Sequence, residues 1–362
     1  MEKILLGTVL RNLRIKNDLK IRELAADVSI DQALISKYES GKRLPSDEHI
    51  SILEGYYPEY KDEIRKLYLA EKVITVLYGE PLAVDALEIA EPRLIYLKNT
   101  SLKEQLSIPN EVKSEVIALD HLKVEYNEIP KKEGVHLEKV KSHFSLRYTY
   151  ESNKIEGNTL TLSETMLIIK EGVTIGGKSM DEHLEAINHS EAIDFMYDIV
   201  KQKIVFDESI LLQLHNLILR GIDRQNSGVY RKVNVRIMGA AHIPPDFLQV
   251  ADLMQEYFDF YNNAKDTMHP VLLAAEMHER LVTIHPFVDG NGRTARLVMN
   301  LILLQHHYPI AILKGNQDAR IKYFNALEKV QIDGKPNPFI LLIIDALKES
   351  LEEYILLTKG EY

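Results

Sequence analysis

The chain has 362 residues, is 45% hydrophobic and 27% charged, and carries a formal net charge of −10; these values fit a soluble protein with room for two or three cores. It contains no cysteine, which excludes disulfides, thiolate metal sites and a cysteine nucleophile and suits a reducing compartment. The start, MEKILLGTVLRNLRIKN, lacks a secretory apolar stretch. Runs such as FILLIIDAL (339–347) fall far below the roughly 20 residues that cross a bilayer. A cytoplasmic protein without membrane contact is therefore expected. The acidic total argues against general nucleic-acid affinity, yet residues 1–46 hold nine Lys/Arg against six Asp/Glu. A basic head on an acidic body implies two jobs.

The head, residues 9–54, reads VLRNLRIKNDLKIRELAADVSIDQALISKYESGKRLPSDEHISILE. A helix carrying Val9, Leu10 and Leu13 precedes a short helix, IRELAADV. A tight turn at Ser29–Asp31 then leads into QALISKYE. Ala25 is small where two helices must cross, and Ile35 and Tyr38 lie one turn apart on the inward face. Together with ISKYE and SGKRLPS, this resembles the Cro and phage-repressor type of helix-turn-helix. The resemblance implies that Gln32–Glu39 is a recognition helix in a DNA major groove, with Gln32, Ala33 and Lys37 toward base edges. Arg11, Arg14, Lys42 and Arg43 would hold phosphates. One head of net charge +3 would bind weakly alone, so a homodimer is expected. Residues 56–115, with Pro81, Pro92 and Pro109, read as a connecting region.

Beyond it, helical periodicity spans Leu137–Ile155, Asp181–Lys201, Glu208–Arg220, Gln249–Asn262, Val271–Ile284, Arg293–His306, Ala319–Val330 and Phe339–Leu357. Start signals support two of these, Asp207 as a cap and Pro270 at a first turn. Gly157 stops the first helix. That leaves Glu156 at a negative helix end, the wrong sign for its place, with Ser152 four residues earlier on the same face. One stretch departs from the helical pattern. VNVRIMG (233–239) alternates with period two and is predicted to be a short strand, half of a hairpin.

The densest signal is HPFVDGNGRTAR (285–296). It is not a P-loop, and it follows a helix rather than a strand, so a dinucleotide fingerprint fails. HERLV (278–282) places Val282 where a zinc-protease helix needs its second histidine. What remains is a glycine turn at a helix N-terminus, whose backbone N–H groups form an anion nest. Arg293 and Arg296 share one face of that same positive end, so an anion is needed, and phosphate is the natural one. Asp289 beside phosphates calls for a divalent cation such as Mg2+. His285 is placed to act as a base.

These twelve residues match the Fic-family signature H-x-F-x-[DE]-G-N-G-R-x-x-R at every defined position. The resemblance extends over residues 115–350, and it implies transfer of AMP from ATP to a Ser, Thr or Tyr hydroxyl of a protein target. By position, His285 would be the general base, Asp289 the Mg2+ ligand, and Gly290, Asn291, Gly292, Arg293 and Arg296 the phosphate cradle. Phe287 would anchor the loop in the core. Tyr323 and Asn325 would border the base. SNKIEG (152–157) is similar to the family's inhibitory motif, which implies that Glu156, with Ser152 and Gly157, pairs with Arg296 and blocks the γ-phosphate seat. GVYR (228–231) and AHIPP (241–245) flank the predicted strand, which would serve as a β-hairpin flap on which the target docks.

The expected fold is all-α: a helical Fic core with a small β-hairpin flap, preceded by a helix-turn-helix bundle. The expected boundaries are 1–55 for the head, 56–115 for the connection and 116–350 for the Fic domain. Within the last, the inhibitory helix covers about 137–157 and the flap about 230–245; residues 351–362 end a C-terminal helix. Two other functions would use the same residues. One is a DNA-binding regulator that senses nucleotide through the Fic fold, and the other a deAMPylase in which Glu156 orients water.

Overall fold

A computed structural model describes residues 5–87, 90–91, 110–129 and 135–359; residues 92–109 of the expected connection and 360–362 of the last helix lie outside this set. The chain divides into two compact units, Met1–Glu88 and Ile89–Tyr362.

The first unit contains α1 (Leu6–Lys16), α2 (Ile21–Asp27), α3 (Gln32–Glu39), α4 (Asp47–Tyr56) and α5 (Lys61–Leu77). Asp31 starts α3 by accepting hydrogen bonds from the backbone of Ala33 and Leu34 at 2.9 and 3.2 Å, satisfying two of the free donors at a helix start. Leu10, Leu13, Leu24, Ile35, Tyr38, Ile50 and Leu53 fill one core. Ile64 and Tyr68 of α5 belong to it as well, so this unit runs past residue 55. Each such side chain contributes about 1.5–3 kcal/mol on burial. The close crossing is made at Gly7, where a Cβ would stand 2.5 Å from the Tyr38 carbonyl oxygen.

Arg14 corrects an expectation. It is buried, and its Nε and Nη2 donate to the two carboxylate oxygens of Glu39 at 2.6 and 2.7 Å. A third bond runs to the Leu19 carbonyl at 2.7 Å. This bidentate pair ties α1 to α3, and the guanidinium is committed inside the fold instead of facing a phosphate.

The second unit is built around an antiparallel pair, α12 (Pro270–Ile284) and α13 (Asn291–Gln305), joined by the glycine loop. Nearly every residue of both is buried, so these are core helices surrounded on all sides. Around them pack α7 (Val135–Glu156), α9 (Met180–Lys201), α10 (Glu208–Leu219), α11 (Val250–Ala264) and α15 (Asn337–Lys359), with α6 (Asn110–Glu128) against α15. A short α8 (Leu162–Met166) and α14 (Gln317–Asp333) also belong to this unit.

Among the described residues there is no β-strand, so the hairpin flap expected at 230–245 is not formed. Alternation in VNVRIMG does not bury one face: Val233 is 55% exposed and Met238 99%. The segment is tied down by side chains instead of a backbone ladder. Arg231 donates to the carbonyls of Val233 and Pro245 at 3.0 and 2.5 Å. Asn234 bridges the Asp246 carboxylate and the Phe247 amide at 2.8 and 2.9 Å. No described helix is long and apolar enough to cross a membrane.

Candidate active site

The loop between α12 and α13 is framed by its own sequence. His285 ends α12 in the left-handed conformation with φ 52°, strained for a residue with a Cβ. It is held there by a bond from its amide to the Leu281 carbonyl at 2.9 Å and by Arg231, whose Nε donates to the His285 carbonyl at 2.8 Å. The Arg231 amide donates to Pro286 O at 2.8 Å. Phe287 is fully buried. Its ring stacks on His215 at 3.6 Å between centroids. Asn291 closes the turn, accepting from the Phe287 amide at 3.0 Å and donating to the Phe287 carbonyl at 2.9 Å. Its side chain therefore shapes the cradle by closing the turn on Phe287.

Gly290 takes φ 78° as the N-cap of α13, with no side-chain cap. The first N–H groups of the helix are thus left for an anion. His215 fixes Gly290 from behind. Its Nδ1 accepts from the Gly228 amide at 2.8 Å and its Nε2 faces the Asp289 carbonyl at 2.9 Å. A neutral imidazole with the proton on Nε2 satisfies both. Burial pushes His215 down to about 4, against the pull of the Asp289 carbonyl.

Both arginines are held by carboxylates. Arg296 donates from Nη2 to Glu156 Oε1 at 2.6 Å, and to the Ser152 side chain and carbonyl at 3.0 and 2.9 Å. Arg293 reaches Glu185 Oε1 at 2.9 Å and Asp289 Oδ2 at 3.2 Å. Arg296 Nη1 and Arg293 Nε remain buried without a hydrogen-bond partner. Such orphaned donors fit a phosphate. Burial alone would raise the Glu156 carboxyl, but the charges of Arg296, Arg293 and Arg320 outweigh it and hold the group below its ordinary range. Its side chain is nonetheless one-third exposed, so the carboxylate lies in a cleft that solvent and a ligand can reach.

Gly157 turns the chain after Glu156 with φ 104°. The last turn of α7 is also gripped from the side: Glu151 Oε2 accepts from the Gly315 amide at 2.6 Å. A Cβ on Gly315 would stand 2.8 Å from the Glu151 carbonyl oxygen and 3.0 Å from the Ile155 nitrogen.

His285 Nδ1 faces the Val282 carbonyl at 3.2 Å, which leaves the Nε2 lone pair for an incoming proton. Burial, only partly opposed by the Val282 carbonyl and reinforced by Arg231, pushes His285 down to about 4, so it is neutral at pH 7. Asp289 is a single carboxylate, 66% exposed, and no three metal-binding side chains converge among the described residues. One carboxylate suits Mg2+, which is bound largely through phosphates and water.

Tyr323 is buried beside Arg296, its ring centroid 6.0 Å from the guanidinium carbon, and its hydroxyl meets His278 Nε2 at 3.0 Å. His278 therefore belongs to the core behind the site. Asn325 is exposed and lines an open groove of about 500 Å3 between α14 and α15; no contact ties it to the loop. In the other unit, Gln32, Ala33, Lys37, Lys42 and Arg43 are all exposed. Sequence reasoning missed three residues that build the site. His215 looks like one polar position in the apolar run LLQLHNLIL, Arg231 lies within GVYR, and Glu185 carries no local signal.

Residues 205–303 match the Fic/DOC family, and residues 10–64 match the Helix-turn-helix family. The chain thus carries a Fic/DOC domain preceded by a helix-turn-helix. Similar proteins include the protein adenylyltransferases Fic of Drosophila willistoni and Drosophila melanogaster, 36% and 38% identical over 220 residues. That stretch is 60% of this chain but 43% and 44% of theirs, so the chain spans less than half the length of these relatives. Among solved structures, a Fic domain containing signaling protein from Bacteroides thetaiotaomicron is similar with a TM-score of 0.63 and 27% identity. The match covers 67% of this chain and 97% of that one.

Two outcomes are expected. His215 and His285 bind a proton more weakly in the folded chain, at about 4, than the ordinary 6.5. The unfolded chain therefore takes up more protons between those values, and stability falls as pH drops from 6.5 to 4. For buried His215 the full loss is roughly 3 kcal/mol. Urea unfolding at pH 7 and pH 4.5 should show a larger fall in midpoint for the native chain than for His215→Asn; equal falls would contradict the assignment. Separately, Gly315→Ala should push the last turn of α7 away and speed amide exchange at residues 152–158. Unchanged exchange there would show that the grip on Gly315 does not seat the helix.

Proposed function

We propose that the second unit is a protein adenylyltransferase that moves AMP from Mg-ATP to a Ser, Thr or Tyr hydroxyl of a protein target and is held silent by Glu156. The observation that carries this is the Arg296–Glu156 pair beside two buried, unpartnered guanidinium donors. In the silent state Glu156 occupies the place where the γ-phosphate would meet Arg296.

When Glu156 withdraws, the N-terminus of α13 receives the phosphates and the two arginines neutralise their charge. Mg2+ held by Asp289 would offset charge on the departing pyrophosphate. The target hydroxyl attacks the α-phosphorus as the bond to pyrophosphate breaks, and neutral His285 accepts the hydroxyl proton at Nε2. Positioning and charge stabilisation do most of the work in such a transfer. The 233–245 segment, braced by Arg231 over His285, is where a target chain would lie. It would do so without a preformed strand.

Intact-mass measurement after incubation with Mg-ATP and a cell lysate tests this. Glu156→Gly should gain AMP adducts on itself or on lysate proteins, and His285→Ala should abolish them in either background. Absence of any adduct with Glu156→Gly would sink the proposal.

For the first unit we propose DNA binding through α3, supported by the exposed Gln32, Ala33 and Lys37 on that helix and by the helix-turn-helix match over residues 10–64. Against DNA ligands selected from a random pool, Lys42→Ala and Arg43→Ala should each weaken binding to all sequences and lower the salt slope by about 1. Gln32→Ala should instead relax the sequence preference. The same preference with and without Gln32 would refute base contact by this helix.

A further inference from the structure

Glu185 lies on α9, outside both motifs, yet it joins the two halves of the switch. Its Oε1 accepts from Arg293 Nη1 at 2.9 Å. Its Oε2 accepts from Asn158 Nδ2 at 2.8 Å. Its backbone carbonyl accepts from Asn153 Nδ2 at 3.1 Å. Asn153 and Asn158 bracket Glu156, one in the last turn of α7 and one just after Gly157. The Asn158 amide cannot rotate to suit another partner, because its Oδ1 accepts from the Leu160 amide at 2.9 Å and its Nδ2 also donates to Glu182 O at 3.1 Å. Only an acceptor on Glu185 matches that orientation.

We infer that Glu185 is a positioning residue for inhibition: it fastens the chain turn behind Glu156 to Arg293 of the phosphate loop and so keeps Glu156 seated against Arg296. This rests on the proposed adenylyltransferase reading and deepens its regulation. Arg293 is 4% exposed at its side chain and Glu185 20%, so their charge-assisted bond is poorly screened and rigid. Glu185 takes no part in proton or phosphoryl transfer. A ligand that draws Arg293 away from Glu185 slackens the Asn158 turn, which couples phosphate arrival at one arginine to release of the glutamate from the other.

Glu185→Gln preserves volume but sets an amide N–H2 against either Arg293 or Asn158, breaking one of the two bonds. Hydrogen–deuterium exchange of the nucleotide-free full-length protein reads the seating directly. Amides 153–160 should exchange about tenfold faster in Glu185→Gln, while those of α12 stay unchanged. Exchange at 153–160 equal to that of the native chain would overturn the inference, whatever the enzyme's activity. Calorimetric titration with Mg-ATP supplies the second readout. Glu185→Gln should tighten ATP binding about fivefold in the native background and by less than about twofold in the Glu156→Gly background. A residue serving only the fold would loosen binding equally in both, and that result would also overturn it. Faster exchange with no ATP binding in any variant would keep the brace but sink the adenylyltransferase reading.

Discussion

Two charges of the wrong sign hold the functional part of this molecule together. Arg296 lies in the second turn of α13, near a positive helix end, and Glu156 closes α7 at a negative one. The Glu156 placement costs about 0.3–1 kcal/mol against its own helix dipole, and each charge gives up water to reach its position. At 2.6 Å they answer one another. The pair makes a single carboxylate contact and leaves Glu156 one-third exposed, in contrast to Arg14–Glu39. That ion pair is bidentate, with Glu39 only 5% exposed, and it welds α1 to α3.

Other side chains of the second unit hold the loop between α12 and α13 in place. Phe287, His215 and Asn291 pin the turn from three sides by burial, ring stacking and backbone hydrogen bonds. Arg231 joins the His285 carbonyl to both ends of the 233–245 segment. Its hydrogen-bond acceptors there are backbone carbonyls, so its charge is not cancelled at close range by a bonded carboxylate. That charge helps keep His285 neutral. A neutral imidazole with its Nδ1 turned to a carbonyl needs no adjustment before accepting a proton.

Legibility in the sequence followed range. Helices whose apolar period is strong, such as Glu208–Leu219 and Pro270–Ile284, were readable to within a few residues, because period and caps are local. The loop 285–296 was readable because its chemistry is packed into one contiguous stretch. Residues 233–239 misled because alternation signals a strand only when one face is buried, and here side-chain anchors replace the missing ladder. Arg14 misled because nothing near it in sequence announces Glu39, 25 residues away. His215, Arg231 and Glu185 went unseen for the same reason: each acts on the loop across more than fifty residues.

The resting state is also visibly incomplete. Arg296 Nη1 and Arg293 Nε are buried without partners, and an unmet buried donor costs about 1–3 kcal/mol. A carboxylate brings one negative charge and two acceptor oxygens, and Glu156, fixed by its helix, spends one of them on Arg296. A polyphosphate carries more charge and more oxygens, and on the proposed reading it would supply acceptors for donors that Glu156 leaves unmet. On the proposed reading, the arrangement with Glu156 on Arg296 would be poorer in hydrogen bonds than a liganded one. On the proposed adenylyltransferase reading, that difference would let a nucleotide compete with a glutamate tethered to the same chain, and it would set the burden on the contacts behind Glu156. Without Asn153, Asn158 and Glu185 to limit its motion, the glutamate would lose its advantage of proximity to a ligand able to satisfy both arginines at once.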